Sequence, residues 1–512
     1  MQAASKESGL FQRFEAEVRS QLPRLEGERI VNPTPLADVT AVLYECATSE
    51  YGLKLGSGAR VLAKLDSKIA GGSVKVRPAV SIVGEAIASG KLKEGQTVFE
   101  ATSGNFGLAL GPLGRLGIGI VALVSRRLQQ GVIDRLRADG VRLINLDIDI
   151  CPAPGMKGDA DLLVAREVAA SVSQQLAELG FERKLFEEVR GKAEELLARQ
   201  DAIGLAKLLA RTYGGFCTEQ YDSQLNVQVH QSVTGPELDQ QLGELGASLA
   251  ETDFVCTFGT GGTAAGVGMY VASKHGRKGV RVVFPLAGQD VAGIRSRDKA
   301  TGLKFYEPES YLGEHEIDFD EATRLFQFFN GRGYDIGESG ALALYACMQL
   351  INFGVGKQFV VMVADGAEKY SMEVKAFARR GKRDQVRLDE AASAIKQYGG
   401  VVWAHNMFVP KDEGVRIIAS SLGCAESDVK VAATKDVQAV LNGEEPSENF
   451  ESLLPRDERP ILVVCMAGNT SLMLAKVLER RGVAAESLVG GIAGLPASRG
   501  KRPFELVEIA RG

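Results

Sequence analysis

The sequence predicts an α/β protein of two parallel-sheet subdomains, interrupted by a helical insertion and followed by a small C-terminal α/β domain. Three observations carry that expectation. First, between about residues 30 and 385, short apolar runs alternate with helical patterns: 97-TVFE, 119-GIVALVS, 142-RLINLDI, 254-FVCTFG, 281-RVVFPLA and 359-FVVMVAD. Such runs, separated by helices, mark a parallel sheet covered on both faces, where ligands sit beyond the carboxyl ends of the strands. Second, residues 173–210 are charged and strandless, and Val164, Val168, Val172, Leu176 and Leu179 lead into them at helical spacing. That is one apolar stripe on a polar rod, a helical hairpin packed on the domain or a lid. Third, the basic run 378-ARRGKR-383 reads as a linker, and a further strand-helix unit follows it. The expected division is 1–384 and 385–512, with strand 461-ILVV-464, loop 465-CMAGNTS-471 and helix 472-LMLAKVLERRG-482 as the clearest piece of the second part.

Bulk properties narrow the function classes. A chain of 512 residues exceeds one hydrophobic core. A net charge of −5 favours neither nucleic acid nor an anionic membrane as partner. The start, MQAASKESGLFQRFEAEV, has no apolar core of signal-peptide type, and no window approaches the ~18 uninterrupted apolar residues of a spanning helix. Seven scattered cysteines without a CxxC pair point to a reducing cytoplasm rather than a disulfide framework or a zinc site. With four histidines, a His-based metal centre is not expected.

Three segments of the larger part carry chemistry. In 71-GGSVKVR-77, Lys75 stands at the start of a helix, where a cation is disfavoured and its amine is pushed toward neutrality. In 101-ATSGNFGLAL-110, Thr102, Ser103, Gly104 and Asn105 bring hydroxyls, an amide and backbone N–H groups to a helix N-terminus. Those donors suit a carboxylate, though a capped helix would use the same residue types. In 259-GTGGTAAG-266, glycines allow consecutive N–H groups to form a nest for a phosphate, without Walker or GxGxxG spacing. A phosphate-bearing cofactor, a carboxylate-bearing substrate and a lysine together indicate pyridoxal 5'-phosphate and an amino acid.

The order GGSVK, TSGNFG, TGPE, GTGGTAAG and ESGA resembles the cysteine synthase / cystathionine β-synthase family of fold-type II pyridoxal-phosphate enzymes. The likeness extends to 33-PTPL-36, 61-VLAKLDSKIAGGSVK-75, 155-GMKG-158, 234-TGPEL-238 and 367-AEKY-370. It implies that Lys75 carries the cofactor and shuttles the α-proton. Thr102, Ser103, Gly104, Asn105 and Gln220 would hold the substrate carboxylate, with Asn105 also near the cofactor ring. Gly259, Thr260, Gly261, Gly262 and Thr263 would cradle the phosphate. The sequence departs from the family pattern at Val76, where an aspartate is usual, and at Phe106 within 105-NFG-107. In 337-GESGA-341 the resemblance implies that Glu338, or its neighbour Ser339, stands where the family has a serine beside the pyridine nitrogen. A carboxylate there would favour a protonated ring, a serine a neutral one.

In the C-terminal part an apolar strand delivers Cys465 into a loop before a helix, a setting that lowers a thiol pKa, although buried cysteines are common. Cys-x-x-Gly-Asn-x-Ser and 488-LVGGIAGLP-496 resemble rhodanese domains, which implies a sulfane sulfur on Cys465. The arginine usual in that loop is absent, with Thr470 or its neighbours in its place, and 401-VVWAHNMFV-409 is read as the first strand. The combined expectation is β-replacement on an activated serine-type amino acid through an α-aminoacrylate, with sulfur delivered from a Cys465 persulfide. The alternatives are a β-eliminating lyase passing sulfur the other way and a non-catalytic binding protein. The family resemblance also implies a homodimer.

Overall fold

The structure is a computed structural model and describes residues 2–124, 128, 130–146, 162–199, 201–287, 289, 291, 293–370, 385–405, 410–441, 445–455, 457, 459–465, 469–489, 491, 492 and 495. The chain forms two compact units, one of Met1–Leu286 with Val291–Ser371 and one of Ala287–Asp290 with Met372–Gly512.

Eleven strands of the first unit are described. They are β1 (Arg24–Glu26), β2 (Arg29–Val31), β3 (Leu36–Asp38), β4 (Arg60–Leu65), β5 (Thr97–Ala101), β6 (Gly119–Val124), β7 (Arg142–Asn145), β8 (Asp253–Thr257), β9 (Val280–Pro285), β10 (Gly313–Ile317) and β11 (Gln358–Val363). The six apolar runs picked from the sequence all form strands. β5, β6 and β7 make a parallel three-stranded sheet, and a second sheet runs β10-β9-β8-β11-β4-β3. That sheet is parallel except for β3, which pairs antiparallel with β4 at the edge. The inner strands are buried along their length, as Phe359–Val363 illustrates, which explains the unbroken apolar runs.

The charged region folds as helices Leu162–Glu178, Arg183–Ala198 and Ala202–Thr212. Val168, Val172 and Leu176 join Phe186, Leu197, Leu205 and Leu209 in one core with Phe99, Val121 and Leu123 of the small sheet. The helices therefore cover a face of that sheet and are no lid. Phe99, Phe181 and Tyr213 seal the contact with ring centroids 4.8–5.9 Å apart.

The second unit has β12 (Gln385–Val386), β13 (Gly400–Ala404), β14 (Val429–Ala432), β15 (Ile461–Val464) and β16 (Ala485–Leu488) in a parallel sheet of order β12-β16-β15-β13-β14. The expected strand at 401 forms, but β12 precedes it. Two residues are too few to leave a periodic signal. Residues 406–409 and the 378–383 linker lie outside the described residues.

Candidate active site

The ends of β5, β8 and β11 open on one cavity, and Lys75, Ser103, Asn105, Gln220, Gly259 and Ser339 are among the residues that line it. Lys75 immediately precedes helix Val76–Ala88. Its turn is tied to the end of β11 by Val74 N–H donating to Ala364 O at 2.8 Å. Withdrawal from water, helped by the Arg295 guanidinium, pushes the Lys75 amine down to about 8. Burial, more than the helix end named from the sequence, makes this lysine a competent nucleophile.

Two residues on, Arg77 anchors the helix. It holds Asp66 with two bonds, of 2.7 and 2.8 Å, and Glu237 at 2.7 Å, while Lys64 holds the other Glu237 oxygen at 2.6 Å. All four side chains are buried. Two cations and two carboxylates balance, so the cluster is tolerable out of water only as a complete set.

The loop after β5 turns at Gly104, whose φ of +124° is closed to other residues and whose Cβ would meet Val132 at 2.6 Å. Thr102 Oγ1 accepts the N–H groups of Gly104 and Gly107 at 3.0 and 3.2 Å. Its hydroxyl thus serves the loop itself, and Thr102 and Gly104 are absent from the cavity lining, whereas Ser103, Asn105 and Phe106 are on it. Asn105 Nδ2 donates to Asp365 Oδ2 at 2.7 Å, and the Tyr370 hydroxyl donates to the same oxygen at 2.6 Å.

The glycine segment after β8 leads into the 14-residue helix Gly262–His275. Gly261 has φ +88°, a Cβ on Gly259 would lie 2.8 Å from Gly293 O, and one on Gly262 would lie 2.2 Å from Asn226 Oδ1. Asn226 braces the segment through Thr260 Oγ1 at 3.0 Å and Gln220 O at 2.8 Å. Thr263 Oγ1 contacts His230 Nε2 at 3.2 Å, and burial pushes that imidazole down to about 3, so it is neutral. Gly259, Thr260, Gly261 and Thr263 line the cavity; Gly262 starts the helix behind them.

Gln220 reaches the cavity through a segment zipped to β5: Phe99 N–H donates to Phe216 O at 2.8 Å and Phe216 N–H to Thr97 O at 2.9 Å. Its Nε2 donates to Glu100 Oε1 at 3.1 Å. Of the adjacent pair at the start of helix Glu338–Asn352, Ser339 lines the cavity and the buried Glu338 does not. Residues 155–158 lie outside the described residues.

In the second unit Cys465 follows β15 and is buried, with Ser471 Oγ donating to its Sγ at 3.3 Å and bonded to Ser487 Oγ at 2.8 Å. Residues 466–468 of its loop are outside the described set.

Sequence reasoning passed over Asp365, Tyr370, Glu100, Asn226 and His230. Asp365 had a signal, an acid at the carboxyl end of an apolar strand. Glu100 reaches Thr218 and Gln220, Asn226 reaches Thr260 and His230 reaches Thr263, each more than thirty positions away, and Tyr370 enters through Asp365.

The residues fit pyridoxal phosphate: a helix N-terminus with a glycine cradle for the phosphate, and a lysine of depressed pKa for the aldehyde. A family model described as pyridoxal-phosphate dependent enzyme matches residues 33–365. The chain belongs to that family. It is a pyridoxal-phosphate dependent enzyme, and a catalytically silent binding role is set aside. Cysteine synthase 1 of Emericella nidulans is 27% identical over 337 residues, covering 62% of this chain and 78% of its own. Cysteine synthase B of Pseudomonas aeruginosa is 26% identical over 312 residues, covering 60% and 87%. The fold also matches an O-ureido-L-serine synthase variant bound to O-ureido-L-serine, with TM-score 0.50 and 20% identity over 71% of this chain and 94% of that one. A hydrogen sulfide-producing enzyme variant complexed with an α-aminoacrylate intermediate matches with TM-score 0.50 and 19% identity, covering 70% and 90%. Among the described residues no helix is long and apolar enough to cross a membrane.

Proposed function

We propose that this pyridoxal-phosphate dependent enzyme carries out β-replacement, exchanging a leaving group on Cβ of a serine-type amino acid for a sulfur nucleophile. The observation that carries the reading is Lys75, an amine of pKa about 8 on the same cavity as Ser103, Asn105 and Gln220. The chemistry supplied by bound pyridoxal phosphate is an electron sink that acidifies the α-proton and lets the Cβ substituent leave. Lys75 holds the cofactor and moves the α-proton. Ser103, Asn105 and Gln220 would orient the carboxylate, Gly259, Thr260, Gly261 and Thr263 would hold the phosphate, and Ser339 would hold the ring. Phe106, 2% exposed, narrows the cavity and keeps water out. The cysteine synthases among its relatives support sulfur as the nucleophile.

The second unit supplies a source of that sulfur in this reading. Cys465 stands at the carboxyl end of the central strand of a parallel sheet, with a serine hydroxyl donating to its Sγ. A sulfane sulfur carried there as a persulfide would reach the nucleophilic sulfide level only with a thiol reductant, two equivalents of which would release sulfide, restore the Cys465 thiol and leave as a disulfide. Sulfide released on the tethered unit would enter at a raised effective concentration.

The test is a screen of the holoenzyme with amino acids bearing acetyl, phosphoryl, ureido or thiol groups on Cβ, with and without sulfide. Cysteine formed only with an oxygen leaving group and sulfide supports the proposal. Release of pyruvate and sulfide from cysteine, without replacement, overturns it in favour of elimination.

A further inference from the structure

A carboxylate lies directly behind the cavity wall. Glu100, the fourth residue of β5, is 4% exposed. Its Oε2 accepts the Thr218 hydroxyl at 2.5 Å and the Thr218 N–H at 3.3 Å, while its Oε1 accepts the Gln220 amide at 3.1 Å. Among the described residues no cation pairs with it. The titratable groups facing it are Cys217 and Glu219 on the Gln220 segment, and Lys207 pairs with Glu219 at 2.9 Å. Its neighbour across the sheet is Ala122 on β6. Burial pushes the Glu100 carboxyl up to about 7, against the lowering effect of the Thr218 and Gln220 bonds.

The two oxygens are unequally loaded. Oε2 carries two donors from Thr218, whereas Oε1 faces Gln220 alone. An ionised carboxylate can only accept, so it fixes Gln220 with Nε2 toward Glu100. A proton on Oε1 reverses that bond. Gln220 then turns its amide over, accepts from Glu100 through its own Oε1, and brings Nε2 to the other side of the amide. Every hydrogen bond of the group is kept in both states.

We propose that Glu100 and Gln220 form a proton-coupled positioning pair, in which protonation of Glu100 turns the Gln220 amide donor to the carboxylate of the amino-acid substrate. The inference rests on the reading of this cavity as an amino-acid site. Ionised Glu100 works against binding twice: it holds the donor on its own side, and it sets a like charge behind the incoming carboxylate. Binding therefore draws one proton from solvent onto Glu100.

The experiment titrates the holoenzyme with L-alanine, which has no leaving group on Cβ, following the cofactor absorbance between pH 6 and 9. Proton uptake is read alongside by calorimetry in two buffers of different ionisation heat. Wild type and Glu100→Gln share the ligand's own ammonium titration, so their difference isolates Glu100. Wild-type affinity is expected to fall about tenfold per pH unit above pH ~7 relative to Glu100→Gln, with proton uptake lost in the variant. Equal pH profiles and equal proton counts would overturn the pair. Where Glu100→Gln loses its cofactor, Gln220→Met decides: it is expected to weaken binding about tenfold at pH 6 and little at pH 9, and a uniform loss overturns the proposal. A holoenzyme whose spectrum no amino acid moves instead overturns the substrate reading beneath it.

Discussion

Asn105 Nδ2 and Asp365 Oδ2 stand 2.7 Å apart, which joins the loop after β5 of the small sheet to the end of β11 in the large one. Tyr370 donates to the same oxygen. Hydrogen bonds to a charged group contribute roughly 1.5–3 kcal/mol each. Asp365→Ala is expected to destabilise the first unit by about 2–4 kcal/mol in urea unfolding, within the range for such paired bonds. It should also loosen cofactor retention through gel filtration. Tyr370→Phe, which removes one of the two bonds, should show about half the loss.

The buried cluster under Lys75 makes a sharper prediction. Glu237→Gln leaves Lys64 and Arg77 sharing one carboxylate, and breaking a buried pair costs about 3–5 kcal/mol. Burial pushes the Asp66 carboxyl up, but the Arg77 guanidinium outweighs it and holds the group below the usual range. A depressed acid contributes stability above its unfolded pKa that is lost as pH falls through the folded one. Acid unfolding of the wild type is therefore expected well below pH ~4, the unfolded value, and at higher pH in Glu237→Gln.

A lysine of pKa about 8 sets how the apoenzyme takes up its cofactor. The neutral amine is the nucleophile, so the rate of reconstitution with pyridoxal phosphate should rise with pH and level off near 8. An ordinary lysine would keep gaining to about 10. Arg295→Met removes a cation that holds the amine down and should move the plateau upward. Lys75→Ala should give no borohydride-trapped cofactor on the peptide, as read by mass spectrometry.

Gly262→Ala tests the cradle. The added Cβ would sit 2.2 Å from Asn226 Oδ1, displacing the side chain that braces Thr260. Cofactor affinity is expected to fall at least tenfold, measured by fluorescence of the bound cofactor, with the fold retained by circular dichroism.

Phe106 fills the edge of the cavity from a buried position. Phe106→Thr should admit bulkier Cβ substituents, seen as a lower KM for larger substrates. Removing the ring should lower stability by about 3 kcal/mol, as large-to-small core changes do.

The strands, the lysine ahead of helix Val76–Ala88, the glycine segment after β8 and the Ser103–Asn105 loop after β5 were legible as elements because each is a local pattern at the end of a strand or the start of a helix. The network behind them was not. Gln220 meets Glu100 across 120 positions and Asn105 meets Asp365 across 260, and no local periodicity encodes such pairs. Thr102 shows the limit within a motif: its type announces a donor to a ligand, but only the fold reveals that its oxygen accepts the loop's own N–H groups and that it stands off the cavity lining. The choice between Glu338 and Ser339 likewise turns on the rotation of a helix by one residue, which spacing alone leaves open.

Phe216 is pinned to β5 by backbone bonds on both sides, so the register of the Gln220 segment is set after the three helices end at Thr212. The first two helices, Leu162–Glu178 and Arg183–Ala198, can therefore change length while the glutamine keeps its aim. What such changes would alter is the greasy contact on the outer face of the sheet, and with it stability. The helices still touch the site where Lys207 of the third helix pairs with Glu219, the residue before Gln220.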